Sequence, residues 1–456
     1  MNSNSFLRKG MVVLALLCSA GGASAGGFTI IEVGTKKTGM MTSVAKPDDL
    51  SGVFHNPAGI ADLRGNRFLL YNGVAFVNAG ARVKAWPGSE NYVDKPVDDE
   101  GYFQGTIKPT RTFGIMPMIV GSTDFGWAQG PVWALSAYVP EFAGGFFPKA
   151  EPSRYVMIEG FLMSGATALT SAYRLPGSLS FLSLGASLGL RVFYQQGEAY
   201  QRFNLDDLGN GLDIYARRQG TDYRPLYNFG LTADLPRGLT VGMMFVGGTP
   251  VRIKGTITLS EPDDEIQPLL TSVDRSLALL KSYDMTNELR MPHGLAVGLS
   301  WQALDSLELA ADYRHWFYSS FKEQRMYHNI DVALIPGKPL LANPMVTPKD
   351  YGDSWTVSAG ALARPLKLPL DLMAGWTYDH SPVPDHTLTM EQPFVDLTGF
   401  SVGSRYRVNQ DWRVSLTYYH YWYLRDQVDN SILDPPQNII FQGTSDVVSF
   451  QLEYGI

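Results

Sequence analysis

After residue 25 the chain nowhere holds 18 consecutive apolar residues, yet short runs in which every second residue is apolar recur along almost its whole length. A helix needs roughly 20 apolar residues to cross a bilayer, whereas a strand needs only about ten, alternating between lipid and lumen. The alternation is sharp in Trp412, Val414, Leu416 and Tyr418 against Arg413, Ser415 and Thr417. It recurs in Leu307, Leu309, Ala311 and Tyr313 against Glu308, Ala310, Asp312 and Arg314. In each pair of sets, the first would face lipid and the second the lumen.

Fourteen such runs can be marked, at 67–79, 102–121, 131–140, 155–175, 179–196, 214–235, 238–257, 288–303, 306–324, 353–365, 369–380, 395–408, 411–427 and 442–456. An even number suits a closed antiparallel barrel whose termini share one end. Short links at 175–178, 236–238, 303–306, 365–368 and 408–411, with a longer one at 122–130, alternate with long polar links. The long links fall at 80–101, 141–154, 197–213, 258–287, 325–352, 381–394 and 428–441. Short turns on one side of a membrane and long loops on the other are the pattern of a bacterial outer-membrane barrel. The fold class expected is therefore all-β, a 14-stranded antiparallel transmembrane β-barrel. Aromatic residues collect at run ends, at Trp301, Trp316, Tyr318, Trp376, Tyr378, Trp412, Tyr419, Tyr421, Trp422 and Tyr423, where interfacial girdles are expected.

Residues 1–25 combine a basic start (Arg8, Lys9), an apolar run from Met11 to Cys18 and an Ala23-Ser24-Ala25 cleavage site, the signature of a secretory signal peptide. The apolar run is too short to span a bilayer, and Leu17 before Cys18 is too bulky for a lipoprotein cleavage site. Cleavage would leave 431 residues without the only cysteine, so neither disulfide nor thiol chemistry is expected. Losing Arg8 and Lys9 takes the formal charge from −7 to −9, with acids and bases interspersed, and nothing points to nucleic acid.

From residue 26 to 64 the pattern is too irregular for a strand, while Phe28, Ile30, Ile31, Met40, Met41, Val44 and Phe54 make it too apolar for a solvated tail. A compact plug inside the barrel fits this composition. It ends in Asp49-Leu50-Ser51-Gly52-Val53-Phe54-His55-Asn56-Pro57-Ala58-Gly59, where Pro57 drives Asn56 out of the helical region and Gly59 permits a turn.

That phrase resembles the hatch-to-barrel junction of the FadL family, outer-membrane transporters of long-chain fatty acids and hydrocarbons. Met373 to Thr387 is similar to a strand-loop phrase late in the family's barrel, and Leu307 to Phe321 to its mid-barrel Ala-Asp-Tyr-x-x-Trp strand. The resemblance implies a signal peptide (1–25), an N-terminal hatch within the lumen (26–64) and a transmembrane barrel (65–456) in the outer membrane of a Gram-negative bacterium, both termini periplasmic. It also implies passive uptake of long-chain fatty acids or similar hydrophobic compounds, by capture on outer loops, lumenal binding and release through the hatch or the wall. Uptake of aromatic or alkane hydrocarbons is the alternative, because the hatch start and the loops at 197–222 and 325–352 depart from the family's pattern. A monomer is expected, among outer-membrane lipid and lipopolysaccharide. Assembly would use the barrel-insertion machinery, which reads a C-terminal face such as Phe450, Leu452, Tyr454 and Ile456.

Pro117 lies inside the run Gly114–Ile119, where it cannot donate a ladder hydrogen bond. An ordinary bulge is the first reading. A wall opening near the third strand is the rival that the resemblance implies. A carboxylate-bearing ligand would need a cation, and Arg154, Arg191, Arg314 and Lys322 are the candidates. Arg314 leads because its strand phase sets it with Glu308 and Asp312 on the polar side, although those acids could simply be salt-bridge partners. Ile266, Leu269, Leu270, Val273, Leu277 and Leu280 form an i, i+3, i+4, i+7 stripe that either packs on the rim or captures a greasy ligand. Met116, Met118, Met157, Met163, Met243, Met244 and Met373 suit a pocket for variable alkyl chains. No motif implies a cofactor or a metal. The histidines 55, 293, 315, 328, 380, 386 and 420 are scattered, and His380-Ser381 beside Asp379 and Asp385 is their only clustering, so a lipid-acting enzyme is a weaker reading.

Overall fold

A computed structural model of the chain describes residues 27–91, 93–149, 151–204, 211–260, 282–331, 339–365 and 368–455. The expected signal peptide (1–25) and the apolar stripe with Leu269, Leu270, Val273 and Leu277 lie outside the described residues. Eighteen strand segments form one antiparallel sheet. They are β1 (Arg67–Val83), β2 (Phe113–Thr123), β3 (Val132–Phe146), β4 (Glu159–Arg174), β5 (Leu182–Asn204), β6 (Gly211–Leu235), β7 (Leu239–Val246), β8 (Thr249–Ser260) and β9 (Ser282–Met291). The second half comprises β10 (Gly294–Leu304), β11 (Leu307–Trp316), β12 (Glu323–His328), β13 (Met345–Pro348), β14 (Ser354–Ala363), β15 (Leu370–His380), β16 (Leu397–Arg407), β17 (Trp412–Gln427) and β18 (Ile439–Gly455). Pairing of β1 with β18, from Arg67↔Gly455 to Val83↔Ile439, closes the barrel and leaves no free edge there.

Four barrel strands are each built from two segments. β6 pairs with both β7 and β8, and the same sharing of neighbours joins β9 with β10, β11 with β12, and β13 with β14. Eighteen segments therefore make fourteen strands, as the alternation predicts. The links at the end that carries Arg67 and Gly455 span two to eight residues, and those at the other end span 11 to 29, except the six-residue link between β5 and β6.

The structure corrects three details of the sequence reading. The expected long link 197–213 is mostly strand, since β5 runs to Asn204 and β6 starts at Gly211. Its Gln195-Gln196-Gly197-Glu198 stretch shows no alternation because water, not lipid, lies outside this part of the hairpin. Five expected girdle residues, Trp316, Tyr318, Tyr419, Tyr421 and Tyr423, instead point inward and are buried, whereas Trp301, Trp376, Trp412 and Trp422 face out. Neighbours such as Tyr421 and Trp422 must take opposite faces of one strand. Finally, the runs read as continuous at 238–257 and 306–324 are interrupted. The outward set is Met243 before Gly247-Gly248 and Arg252 after it, so the phase of alternation flips across the break.

The segment from Gly27 to Leu63 lies inside this wall and is almost wholly buried. It hydrogen-bonds strands all around the lumen: Ile30 N to Pro140 O (2.8 Å), Ser187 Oγ to Val53 O (3.2 Å), Asn56 Nδ2 to Leu231 O (3.1 Å), Ser401 Oγ to Gly39 O (2.9 Å) and Thr35 N to Gln451 Oε1 (3.0 Å). Ion pairs fasten it near the barrel end that carries Arg67 and Gly455. Arg405 grips Asp48 through both terminal nitrogens (2.8 and 3.1 Å), and Lys36 pairs with the buried Glu308. The approach is close enough that a Cβ at Gly360 would lie 1.9 Å from Met40 O, and one at Gly242 2.3 Å from Val44 O.

Candidate functional site

The wall is incomplete between β2 and β3. Their ladder runs from Thr123↔Trp133 to Met118↔Tyr138 and stops, and Pro117 is the next residue along β2. On the opposite edge β3 shifts register against β4 between Tyr138 and Glu141, around Pro140. Neither proline has an N–H to offer, so the ladder has no donor at this level. The sequence offered a bulge at Pro117 itself as the first reading. β2 passes Pro117 in regular register with β1 (Asn72↔Pro117), and the bulge lies across the gap on β3.

Backbone groups freed along β3 need partners, because lipid supplies none. The first described hatch residues provide them. Ile30 N donates to Pro140 O, Phe142 N donates to Phe28 O (2.9 Å), and Thr29 bridges Glu141. Farther along, Thr110 N reaches Phe146 O (2.7 Å) and bounds the gap. Phe142, Phe146, Phe161 and Met163, with Ile30 and Ile115 packed against them, keep the seam apolar.

Behind the seam lies a narrow pocket, part of it open to solvent. The hatch contributes Thr29 and Phe54, and the wall contributes Leu226, Met244, Val246 and Met291, which make most of the lining apolar. Into this lining three hydrogen-bond donors converge. Arg314 is buried and, among the described residues, has neither a hydrogen bond nor an ion pair at contact distance. The Trp316 Nε1 and Tyr138 hydroxyl, also buried and in the lining, have no partner either. Unpaired buried donors are costly and uncommon, so three around one pocket mark a place for acceptor oxygens.

Of the other cations proposed from sequence, Arg191 reaches the same pocket but is already neutralised. Its Nη1 donates to Glu141 (2.8 Å) and its Nη2 to Gly247 O (2.9 Å). Arg154 belongs to the long-loop end, pairing with Asp213 (3.3 Å) and lying over the Tyr155 and Tyr200 rings. Lys322 sits at the interruption between β11 and β12 and donates to Tyr351 O (3.0 Å). Neither lines the pocket. Trp316 reads from the sequence as a membrane anchor at a run end, and no sequence signal marks Tyr138. The strand parity that Trp316 shares with Arg314 is the signal that could have found it.

The junction residues build the floor. Asn56 is extended (φ −164°), its Oδ1 accepts from Ala58 N (3.2 Å) and its Nδ2 donates to Val44 O (2.8 Å). Pro57 opens the 3-10 turn Pro57–Ile60, and a Cβ on Gly59 would lie 2.2 Å from Pro47 Cγ. Phe54 is thereby held edge-on against Tyr138, with ring centroids 5.3 Å apart. Beside it His55 Nε2 donates to Val33 O (2.6 Å), while the buried Nδ1 has no partner. Burial, and secondarily the charge of Arg314, holds this imidazole well below its ordinary pKa. Six of the seven methionines expected at a pocket are buried, and Met243 faces out. Ser381 Oγ donates to Phe394 O (2.5 Å) and His380 pairs with Asp396 (3.0 Å), so both are engaged in holding a loop.

A second narrow, almost wholly apolar pocket, also partly open, lies toward the long-loop end, between Ala79, Ala81, Pro109, Phe147, Met390 and Phe441.

The fold is shared with solved transporters. A Pseudomonas aeruginosa FadL homologue superposes with a TM-score of 0.77 at 16% identity, over 94% of this chain and 99% of that one. The Pseudomonas putida toluene transporter TodX gives 0.64 at 15% identity, over the same shares. The CymD monoaromatic hydrocarbon channel gives 0.60 at 15%, again over 94% and 99%. A search of curated proteins found no match. The family model for the outer membrane protein transport protein group (OMPP1/FadL/TodX) matches residues 16–455. The chain thus belongs to the OMPP1/FadL/TodX family, outer-membrane barrels that transport hydrophobic compounds.

Proposed function

We propose that this protein takes up long-chain fatty acids or similar carboxylate-headed apolar molecules, with its long loops outside the cell and both termini in the periplasm. The observation that carries the reading is the Arg314 guanidinium, buried without a counter-ion in an apolar pocket beside Trp316 Nε1 and Tyr138 OH. A carboxylate accepts from all three kinds of donor, and its alkyl tail suits Phe54, Leu226, Met244 and Val246. The apolar pocket near Phe147 and Met390 serves as a first stop. The seam at Pro117 and Pro140 is the exit, opened when Phe28 and Ile30 release β3.

A hydrocarbon cargo is the second reading, favoured by the nearly uncharged outer pocket and by the likeness to barrels described as toluene and monoaromatic transporters. Binding of a long-chain fatty acid and of the matching alkane to the wild type and to Arg314→Met separates the two. A charge-assisted hydrogen bond contributes roughly 1.5–3 kcal/mol, so a fatty-acid transporter loses about ten- to hundredfold in affinity for the acid alone. Unchanged affinity for both ligands supports the hydrocarbon reading, and equal loss for both removes Arg314 from the site.

A further inference from the structure

The outward face of the barrel changes chemistry at the four interrupted strands. On their short-turn side Met243, Val297, Leu299, Leu309 and Tyr313 are exposed, as a lipid-facing surface requires. Beyond the interruptions the exposed positions include Arg252 and Lys254 on β8, Arg290 on β9 and Arg325 on β12, interspersed with Asp284, Glu323, Tyr327 and Val346, with Arg252 63% and Arg325 47% accessible. Their chain neighbours Val251, Ile253, Leu289, Met291 and Met326 are buried, so the basic set points away from the lumen.

The register gathers these cations. Arg252 and Arg325 flank Glu288 from either side, and Arg290 lies two residues along the same strand. Directly opposed and diagonal positions in a sheet are about 5 to 8 Å apart, within the reach of one lipid headgroup. Glu288 and Glu323 pair with Arg252 and Arg325, and Asp284 is exposed on the same face of β9, but Lys254 and Arg290 have no carboxylate at contact distance among the described residues. The far side of the rim differs. There His380 meets Asp396 and His420 meets Asp446. On a chain of formal charge −7, a one-sided basic face bordering the lipid band is not a consequence of composition.

Cations at a membrane surface attract anionic headgroups, and guanidinium groups match phosphate oxygens in pairs. We propose that Arg252, Lys254, Arg290 and Arg325 form a binding face for the phosphorylated headgroup of the outer-leaflet glycolipid, lipid A. This goes beyond the transport reading and shares with it only the orientation of the barrel.

The test uses the full-length protein in nanodiscs, titrated with lipid A and with enzymatically dephosphorylated lipid A, occupancy being read by native mass spectrometry. Wild type should bind lipid A at least tenfold more tightly than the dephosphorylated form. The variant Arg252→Gln/Lys254→Gln/Arg290→Gln/Arg325→Gln should lose that preference, while Arg252→Lys/Arg290→Lys/Arg325→Lys, which keeps every charge, should retain most of it. Heat-modifiable migration on gels reports that each barrel has folded. An undiminished preference in the Gln variant, or equal binding of the two lipids by wild type, overturns the proposal.

Discussion

Asp312 and Arg314 stand two residues apart on the inward face of β11, yet they do not pair. Asp312 Oδ2 accepts from the hatch amides of Ser43 (2.6 Å) and Val44 (3.1 Å), and Arg314 is left facing the pocket. The acid secures the plug, and on the proposed function the base stays available for cargo.

Removing that acceptor should loosen the hatch. Asp312→Ala leaves two buried amides unpaired, each costing about 1–3 kcal/mol, whereas Asp312→Asn keeps an oxygen in place. Single-channel recording in planar bilayers should show frequent openings for the Ala variant and few for the Asn variant. Silence in both would mean that other contacts hold the plug.

The two unpaired aromatic donors give a graded version of the Arg314 test. Tyr138→Phe and Trp316→Phe each remove one neutral hydrogen bond, with a net contribution of about 0.5–1.5 kcal/mol. Fatty-acid affinity should fall about two- to tenfold in each, with alkane binding unchanged in Tyr138→Phe, which keeps its ring. Titration calorimetry distinguishes this from a loss of packing, which would weaken both ligands.

Locking the seam should stop transport. Thr29 and Glu141 form an antiparallel bridge, a geometry that admits a disulfide, and the only native cysteine is Cys18, within the expected signal peptide. Thr29→Cys/Glu141→Cys should take up fatty acid when reduced and not when oxidised. Equal rates in both states would exclude release through the gap between β2 and β3.

Acid should weaken the seating of the hatch through His55. A withdrawn hatch binds a proton near the ordinary value of 6.5, and the seated one resists it. Seating stability is therefore constant well above that pH and declines as pH falls below it, by about 1.4 kcal/mol per unit until the seated imidazole itself titrates. Asp49, pushed up by burial and by Asp48, acts in the opposite sense but is common to both proteins compared. Proteolysis within residues 27–63 should accelerate from pH 7.5 to 5.5 in wild type, and less so in His55→Gln.

What the sequence made legible was whatever lipid enforces. Leu309 and Tyr313 must face out, so Glu308, Asp312 and Arg314 must face in, and the parity of β11 could be read without coordinates. Where lipid ends, the rule ends. The β5–β6 hairpin beyond Gln196 has water outside, and the phase flip at Gly247-Gly248 hides in a run that looks continuous. The seam was half legible. Pro117 announced a missing donor, but its counterpart Pro140 acquires meaning only once β3 lies across from it. The pairing of Arg191 with Glu141 joins residues 50 apart, and no local pattern records it.

Gly360 and Gly242 come closest to the backbone oxygens of Met40 and Val44. At these two points the wall recognises the hatch by the path of its main chain, which most substitutions leave unaltered. At Met40 and Val44 such a seat tolerates changes of hatch side chain and is intolerant of a single methyl group on the barrel. A loosely matching N-terminal segment can thus occupy the same berth, and the residues that most restrict it lie more than 190 positions away, in strands that carry no side chain to show it.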